Sequence, residues 1–147
     1  MSYDLMVFEP TAAPRGRRQF LKWYDKQTQW GEGHDYNNPG VSSPALQAWF
    51  QEMIKIFPPM NGPYASSNDD DPKVTDYSLG KAVVYVCFAW SCAEQAHETV
   101  KRLAARHMVG FFDASSNEGE IIFPDSPDSS DSQRANALPA RPWWKFW

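Results

Sequence analysis

The clearest hydrophobic pattern in the chain is helical and ends at a pair of prolines. After Ser43-Pro44, apolar residues recur at steps of three and one, which places them on one face of an α-helix. The Ser43 hydroxyl can cap the helix, Pro44 suits its first position, and Pro58-Pro59 ends it. The predicted buried face consists of Leu46, Trp49, Phe50, Met53, Ile54 and Phe57.

Two further segments have helical periodicity with one apolar face each. The first covers 11–29 and turns Phe20, Trp23 and Tyr24 inward. The second covers 91–107 and opens with Ser91-Cys92-Ala93-Glu94, which fits the capping-box pattern of reciprocal side-chain to backbone hydrogen bonds. Because each helix has a single apolar face, each is expected to pack against one neighbouring layer through that face and to expose its other side to solvent.

Five segments are typical of β-strands: 2–8, 74–79, 82–90, 109–113 and 120–123. The segments 2–8 and 82–90 are apolar on both faces, which predicts internal strands. The last two segments are separated by turn residues and predict a hairpin.

The order of these segments predicts an α+β domain over residues 1–124, with elements in the order β-α-α-β-β-α-β-β. One apolar face on each helix favours packing of all three helices on a single face of the sheet. We therefore expect a two-layer sandwich close to the split βαβ, or ferredoxin-like, arrangement with an extra helix.

Composition changes sharply after residue 124. Residues 125–140, rich in Ser, Asp, Pro and Ala, have little to bury and predict a disordered linker. Residues 141–147, RPWWKFW, form an aromatic segment. We expect this segment to dock into a groove on its own domain or on a neighbouring copy, which would allow self-association, and a heterologous partner is the alternative. Membrane insertion is disfavoured, because so short a segment binds only marginally. The predicted docking residues are Trp143, Trp144, Phe146 and Trp147.

Charge narrows the partners that the protein can have. The chain carries 18 acidic and 14 basic residues, for a net charge of −4. Direct nucleic-acid binding is disfavoured, because neutralisation of phosphates supplies much of that affinity. The opening MSYDLMVFEP lacks the basic region of a signal peptide, and no apolar run approaches the roughly 20 residues of a membrane span. We expect a cytoplasmic protein whose two cysteines are reduced.

No convincing catalytic or metal-binding pattern is present in the sequence. The histidines His34, His97 and His107 are scattered, and the acidic run 68–71 lacks the alternating ligands and glycine of a calcium loop. No glycine-rich loop sits between a strand and a helix as phosphate binding requires. The expectation is a protein without catalytic residues, metal or cofactor.

Acidic and aromatic residues concentrate in and around two predicted loops, over 31–40 and 62–73. Between positions 31 and 76 there are seven Asp and Glu residues but only two lysines, Lys55 and Lys73. Carboxylates interleaved with tyrosines resemble an inhibitor surface directed at a basic cleft, since charge steers association and aromatic anchors supply binding energy. The alternative is two solvated loops without a partner. The predicted partner-binding residues are Glu32, Asp35, Tyr36, Tyr64, Asp69, Asp70, Asp71 and Asp76.

Three stretches carry a family resemblance: MSYDLMVFEP at the start, DYSLGKAVVYVCFAWSCAEQAHETVKRLAARHMVGFFD, and GEIIFP in the last strand. Together they resemble small bacterial proteins that look like immunity partners of antagonistic toxins, including effectors of type VI secretion. The resemblance implies stoichiometric blocking of a toxin that acts in the cytoplasm. A nuclease would offer the basic cleft that an acidic surface prefers. The alternatives are a non-enzymatic adaptor that uses the aromatic segment, and a small enzyme with an unrecognised site.

Overall fold

The computed structural model of the chain describes residues 2–67, 70–116 and 119–124. Several predictions concern positions outside these residues. They are the linker over 125–140, the partner-binding role of Asp69, and the docking of Trp143, Trp144, Phe146 and Trp147.

The described chain folds into a five-stranded sheet and three α-helices, which confirms the α+β class. Two short 3-10 helices, at Pro39–Val41 and Trp90–Cys92, add turns that the sequence pattern did not predict. In chain order the elements are β1 (Tyr3–Phe8), α1 (Arg17–Gln27), α2 (Pro44–Met53), β2 (Asp76–Leu79), β3 (Val83–Phe88), α3 (Ala93–Arg106), β4 (Gly110–Phe112) and β5 (Ile121–Ile122).

The strands lie in the order β2-β3-β1-β4-β5, and every neighbouring pair is antiparallel. Strands β1 and β3 pair along their full lengths, with Leu5 opposite Val86, and so form the centre of the sheet. Their central position confirms the prediction made from their two apolar faces. Strands β2 and β5 form the two opposite edges.

Helices cover both faces of the sheet, so the predicted two-layer arrangement is wrong. Alternate residues of β1 point to opposite sides. Leu5 and Val7 belong to a core shared with α2 and α3, whereas Met6 and Phe8 belong to a second core shared with α1. A sheet that is apolar on both faces needs a layer on each face to remove it from water. The architecture therefore has three layers.

Local sequence signals predicted the start of one helix correctly and the start of another incorrectly. The Ser43 hydroxyl accepts a hydrogen bond of 3.4 Å from the N–H of Leu46, which confirms the predicted cap of α2. The capping box predicted at Ser91 is wrong. Residues Trp90–Cys92 form a 3-10 turn, and α3 begins after Cys92 without a side-chain cap. One extra turn shifts the helix start past the serine, so the spacing that the box requires is lost.

Candidate functional site

The loop over residues 31–40 is attached to the edge of the sheet beside β2. The backbone N–H of Leu79 donates a hydrogen bond of 2.9 Å to the carbonyl oxygen of Tyr36. At the β2–β3 turn, the N–H of Lys81 donates to the Glu32 carboxylate at 3.1 Å. Two bonds from different parts of the loop thus hold it against the end of the β2–β3 hairpin.

Contacts between aromatic rings hold this loop in an uncommon backbone conformation. Trp30 and Tyr36 have φ angles of 56° and 61°, in the left-handed region that costs non-glycine residues about 1–2 kcal/mol each. The Tyr36 ring lies 5.1 Å from the Trp30 ring and 4.1 Å from the His34 ring, measured between centroids. Its hydroxyl accepts a hydrogen bond of 2.7 Å from the N–H of Glu32. These contacts offset the backbone cost and give the loop one defined shape.

Glu32 stabilises the loop internally rather than facing solvent. Its carboxylate lies 2.7 Å from Nε2 of His34 and also accepts from the Lys81 N–H, and its side chain is only 23% exposed. These polar partners leave it little capacity for a protein ligand. Of the residues predicted to bind a partner, Glu32 and Tyr36 therefore act as supports of the surface.

A second loop, over residues 54–75, extends the sheet beyond the start of β2. Pro59 and Thr75 form a parallel bridge. The Thr75 N–H donates to the carbonyl of Pro58, and the Met60 N–H donates to the carbonyl of Thr75, both at 2.8 Å. Thr75 is fully buried. This loop is thus anchored to the same sheet edge as the first loop, at the other end of β2.

The two loops meet at Asn37 and Gly62. A Cβ atom placed on Gly62 would lie 2.6 Å from the carbonyl oxygen of Asn37, and Gly62 has a φ of +86°. The backbones are therefore packed at a distance that only glycine allows. The structure joins the two predicted loops into one continuous surface, which we call the β2-edge surface. Its described exposed members include Asp35, Met60 and Tyr64.

Large apolar groups are exposed on the β2-edge surface. Met60 is 51% and Tyr64 is 49% exposed. The Tyr64 ring lies 6.2 Å from the ring of Phe50 on α2, edge to face, so one side of the tyrosine is fixed while the other faces solvent. Exposed apolar side chains that are grouped and supported in this way are typical of contact sites. Met60 was not among the residues predicted from sequence. Its position directly after Pro58-Pro59, which end the predicted helix, indicated a loop residue.

The remaining predicted acids do not all share this surface. Asp35 and Asp70 are exposed. Asp71 accepts a hydrogen bond of 2.9 Å from the Lys73 N–H and so stabilises a local turn. Asp76 lies opposite Cys87 in the sheet register, so its side chain is on the α1 side of the sheet, away from the α2 side on which Tyr64 packs. The structure connects the loop of Asp35 and Tyr36 to the loop of Tyr64 through Asn37 and Gly62, and it places the Asp76 side chain on the other face of the sheet.

The other acid between positions 31 and 76, Glu52, is engaged with α3. Its Oε1 lies 2.6 Å from Nε2 of His107 and 3.3 Å from Nε of Arg106. The hydrogen bond with His107 is the main reason why the pKa of Glu52 is below its usual value. Glu52 therefore links the two helices and adds nothing to the charge of the β2-edge surface.

A polar cluster lies on the α1 side of the sheet. The Tyr85 hydroxyl donates a hydrogen bond of 2.6 Å to the carboxylate of Asp4. Burial, followed by the charge of Asp4, raises the pKa of the Cys87 thiol to about 12. A thiol with so high a pKa is protonated at neutral pH, whereas nucleophilic cysteines need the thiolate. The raised pKa therefore favours a structural role for Cys87 over a nucleophilic one.

Metal-binding clusters and membrane-spanning helices are both absent from the described residues. Within 2–67, 70–116 and 119–124, no group of three or more His, Cys, Asp or Glu side chains is placed to hold a metal ion. In the same part of the chain, no helix is long and apolar enough to cross a membrane.

Comparison of the chain with protein-family models, with curated proteins and with solved structures finds no match.

Proposed function

We propose that this protein is a non-enzymatic inhibitor that binds a basic protein partner through the β2-edge surface. The observation that supports this proposal is the packing of Asn37 against Gly62, which joins two loops bearing exposed aromatic and acidic groups. Tyr64 and Met60 supply the apolar centre, and Asp35 and Asp70 supply negative charge.

The backbone hydrogen bonds that hold the two loops favour binding with little change in the conformation of the β2-edge surface. The first loop is held by the Tyr36–Leu79 hydrogen bond and the second by the bridge between Pro59 and Thr75. A surface already held in its binding conformation loses less entropy on association. A half-buried tyrosine with one free side is also the kind of residue that contributes most to binding energy.

The class of partner follows from charge and from the family resemblance. Exposed carboxylates on the same two loops as exposed apolar side chains favour a partner with a basic cleft, since complementary charge accelerates encounter. The resemblance of 1–124 to immunity proteins adds that the partner is a bacterial toxin, of the kind delivered by type VI secretion. We propose that both proteins act in the cytoplasm. A nuclease fits best, because its substrate cleft is itself basic.

We further propose that β1-α2-β2-β3-α3-β4 is a ferredoxin-like core made of two split βαβ units. The strand order β2-β3-β1-β4 and the position of α2 and α3 on one face support this proposal. In this description α1 is an added layer on the opposite face, and β5 extends one edge. The β2-edge surface is then built on the opposite edge, from the long α1–α2 and α2–β2 connections.

The experiment is co-expression with the product of the neighbouring gene, followed by a growth assay and a binding measurement on the purified pair. We expect the neighbouring protein to inhibit growth when it is expressed alone, and this protein to restore growth. The variants Asp35→Lys and Tyr64→Ala should weaken binding by about tenfold or more each. The salt dependence of binding should decrease in Asp35→Lys, because a steering charge has been reversed.

Asp25→Lys provides the matched control. Asp25 is exposed on α1, on the other face of the sheet, and its replacement causes the same change of charge. Equal loss of binding in Asp25→Lys and Asp35→Lys would place the interface elsewhere. A neighbouring protein that is harmless when expressed alone would contradict the assignment to immunity.

A further inference from the structure

An apolar groove lies at the opposite edge of the sheet, between the end of α3 and the β4–β5 hairpin. Its volume is about 420 Å³, within the range of sites that bind drug-sized molecules. Lys101 and Arg102 contribute to its polar rim. The apolar lining includes Ala104, Ala105, Met108, Phe111, Ile122 and Pro124.

Met108 has an unusual position at the mouth of this groove. Its N–H donates to the carbonyl of Ala105 at 3.3 Å, and the N–H of Val109 donates to the carbonyl of Ala104 at 3.0 Å. This arrangement resembles the Schellman motif, in which the position of Met108 is usually glycine. Met108 has a φ of 57° and is 57% exposed. A long apolar side chain thus occupies a position where glycine would be less strained and would expose no apolar surface.

We propose that this groove binds the aromatic segment 141–147 of the same chain, with the indole rings of Trp143, Trp144 and Trp147 against Met108 and the Ala104–Ala105 surface. Indole rings and a methionine side chain are well matched, because the thioether is flexible and packs favourably on aromatic rings. This docking does not depend on the proposed inhibitor function, since β2 and β5 form opposite edges of the sheet.

The path of the chain favours an intramolecular contact. Pro124 lines the groove, and the next residues lead from it towards the aromatic segment. Residues 125–140 separate the two in sequence, and the random-coil relation for a linker of that length gives an end-to-end span of about 20–24 Å. A tether of this kind gives a local concentration in the millimolar range, so weak contacts suffice for docking.

Charge on α3 complements the chain that leaves the groove. Asp125, Asp128 and Asp131 follow Pro124 in the sequence. The adjacent last turns of α3 carry Lys101, Arg102 and Arg106. Within the described part of the chain Lys101 pairs with Glu120 and Arg106 with Glu52, whereas Arg102 forms no ion pair. The charge of these acidic residues is therefore complementary to that of the helix end, which favours docking of the segment that follows them.

The test is ¹⁹F NMR of the full chain labelled with 5-fluorotryptophan, with signals assigned by replacing Trp143, Trp144 and Trp147 singly with Phe. We expect broadened, solvent-protected signals for these three residues. Met108→Gly should convert them to narrow, solvent-exposed signals while the melting temperature stays the same or rises, because glycine is favoured at that position. Folding failure therefore cannot explain the loss of protection.

Met60→Ala is the matched control, since Met60 is exposed to a similar extent, 51%, at the other edge of the sheet. It should leave all three signals protected. The proposal is overturned if the signals are solvent-exposed in the unmodified chain, or if Met108→Gly leaves them unchanged. Protection that disappears on dilution together with a dimer in sedimentation would also overturn it, in favour of docking onto a second copy.

Discussion

The carbonyl oxygen of Tyr36 accepts a hydrogen bond of 2.9 Å from the backbone N–H of Leu79, and this bond continues the sheet past its edge strand into the loop. Tyr36 itself has a left-handed backbone conformation. The hydrogen bond and the contacts of the Tyr36 ring with the rings of Trp30 and His34 together keep the loop in place beside β2. The loop that carries Asp35 is therefore part of the folded framework rather than a mobile connection.

The contact between Gly62 and Asn37 predicts that the two loops are energetically coupled. In Gly62→Ala the new Cβ would meet the Asn37 carbonyl oxygen at 2.6 Å, in addition to the cost of a positive φ. We expect a loss of about 2–3 kcal/mol in the free energy of unfolding. Hydrogen exchange at the Leu79 N–H should also become faster, and NMR measures it directly.

Gly33→Ala is the control for that prediction. Gly33 has the same φ of +86°, but no neighbouring atom lies within 4 Å of the place that a Cβ would occupy. The free energy of unfolding should fall by only about 1 kcal/mol, the cost of a positive φ for alanine. Hydrogen exchange at the Leu79 N–H should be unchanged. Equal effects of the two substitutions would show that the loops are not coupled through Asn37.

The ring of Phe8 occupies the space above Gly110, its partner across β1 and β4. A Cβ on residue 110 would lie 2.2 Å from two atoms of that ring. Phe8 is fully buried and its ring contacts those of Phe20, Trp23 and Phe123, so a shift of the ring would displace its neighbours. Gly110→Ala should cost about 3 kcal/mol or more, measured by urea unfolding. Gly31→Ala, with open space around it, should change stability by less than about 0.5 kcal/mol.

Acid should weaken the contact between α2 and α3. The hydrogen bond with His107 keeps the pKa of Glu52 below its usual value. Because the folded-state pKa is the lower one, this contribution is present above the unfolded-state pKa of about 4.3 and is lost as pH falls through the folded-state pKa. In His107→Ala, the pKa of Glu52 should rise towards its usual value, as measured by NMR titration of the side-chain carboxyl. Unfolding stability should then fall less steeply between about pH 5 and pH 3.

His97→Ala serves as the control for the acid prediction. His97 is also on α3, but its ring packs on Phe111 at 5.5 Å and is not bonded to Glu52. The pKa of Glu52 should be unchanged in this variant. A shift of similar size in both variants would assign the effect to a general change in α3.

The Cys87 thiol should react slowly with thiol reagents in the folded protein. Burial and then the Asp4 charge raise its pKa to about 12, so the thiolate fraction at pH 8 is about a thousandfold lower than for a free cysteine. In a Cys92→Ala background, the rate of reaction with a disulfide reagent should be lower by a similar factor. The denatured chain should react at the ordinary rate.

Asp4→Asn tests the cause of the Cys87 shift. Removal of the neighbouring charge should lower the pKa of the thiol and accelerate the reaction, although burial would keep it slower than in the denatured chain. If native Cys87 reacts as fast as a free thiol, the structural role assigned to it is wrong.

The extent to which sequence predicted this fold depended on how local each signal was. The steps of three and one after Ser43-Pro44 predicted the start of α2 and its buried residues Leu46, Trp49, Phe50 and Met53, because a helix is defined by contacts within a few residues. The predicted end at Pro58-Pro59 is wrong, since the helix ends at Met53 and a turn follows. The two apolar faces of 2–8 and 82–90 correctly predicted the two central strands, β1 and β3. The same two apolar faces implied a layer of helices on each side of the sheet. The prediction instead packed all three helices on one side, which gave two layers where the structure has three.

The candidate site depended more strongly on tertiary contacts. Composition alone indicated that acidic and aromatic residues concentrate between positions 31 and 76. It could not show that Glu32 is bonded to Lys81 and His34, that Glu52 pairs with His107, or that Asp76 faces the α1 side. Those assignments follow from strand register and from residues distant in sequence.

Periodicity and turn chemistry act over a few residues. The sequence pattern was therefore sufficient to predict which segments form helices and which form strands, and that β1 and β3 lie at the centre of the sheet. The layer that each helix joins, the meeting of Asn37 with Gly62 and the groove beside Met108 were decided only in three dimensions. The physical reason is that burial and close approach depend on which distant segments share a surface, and a local pattern carries no information about that choice.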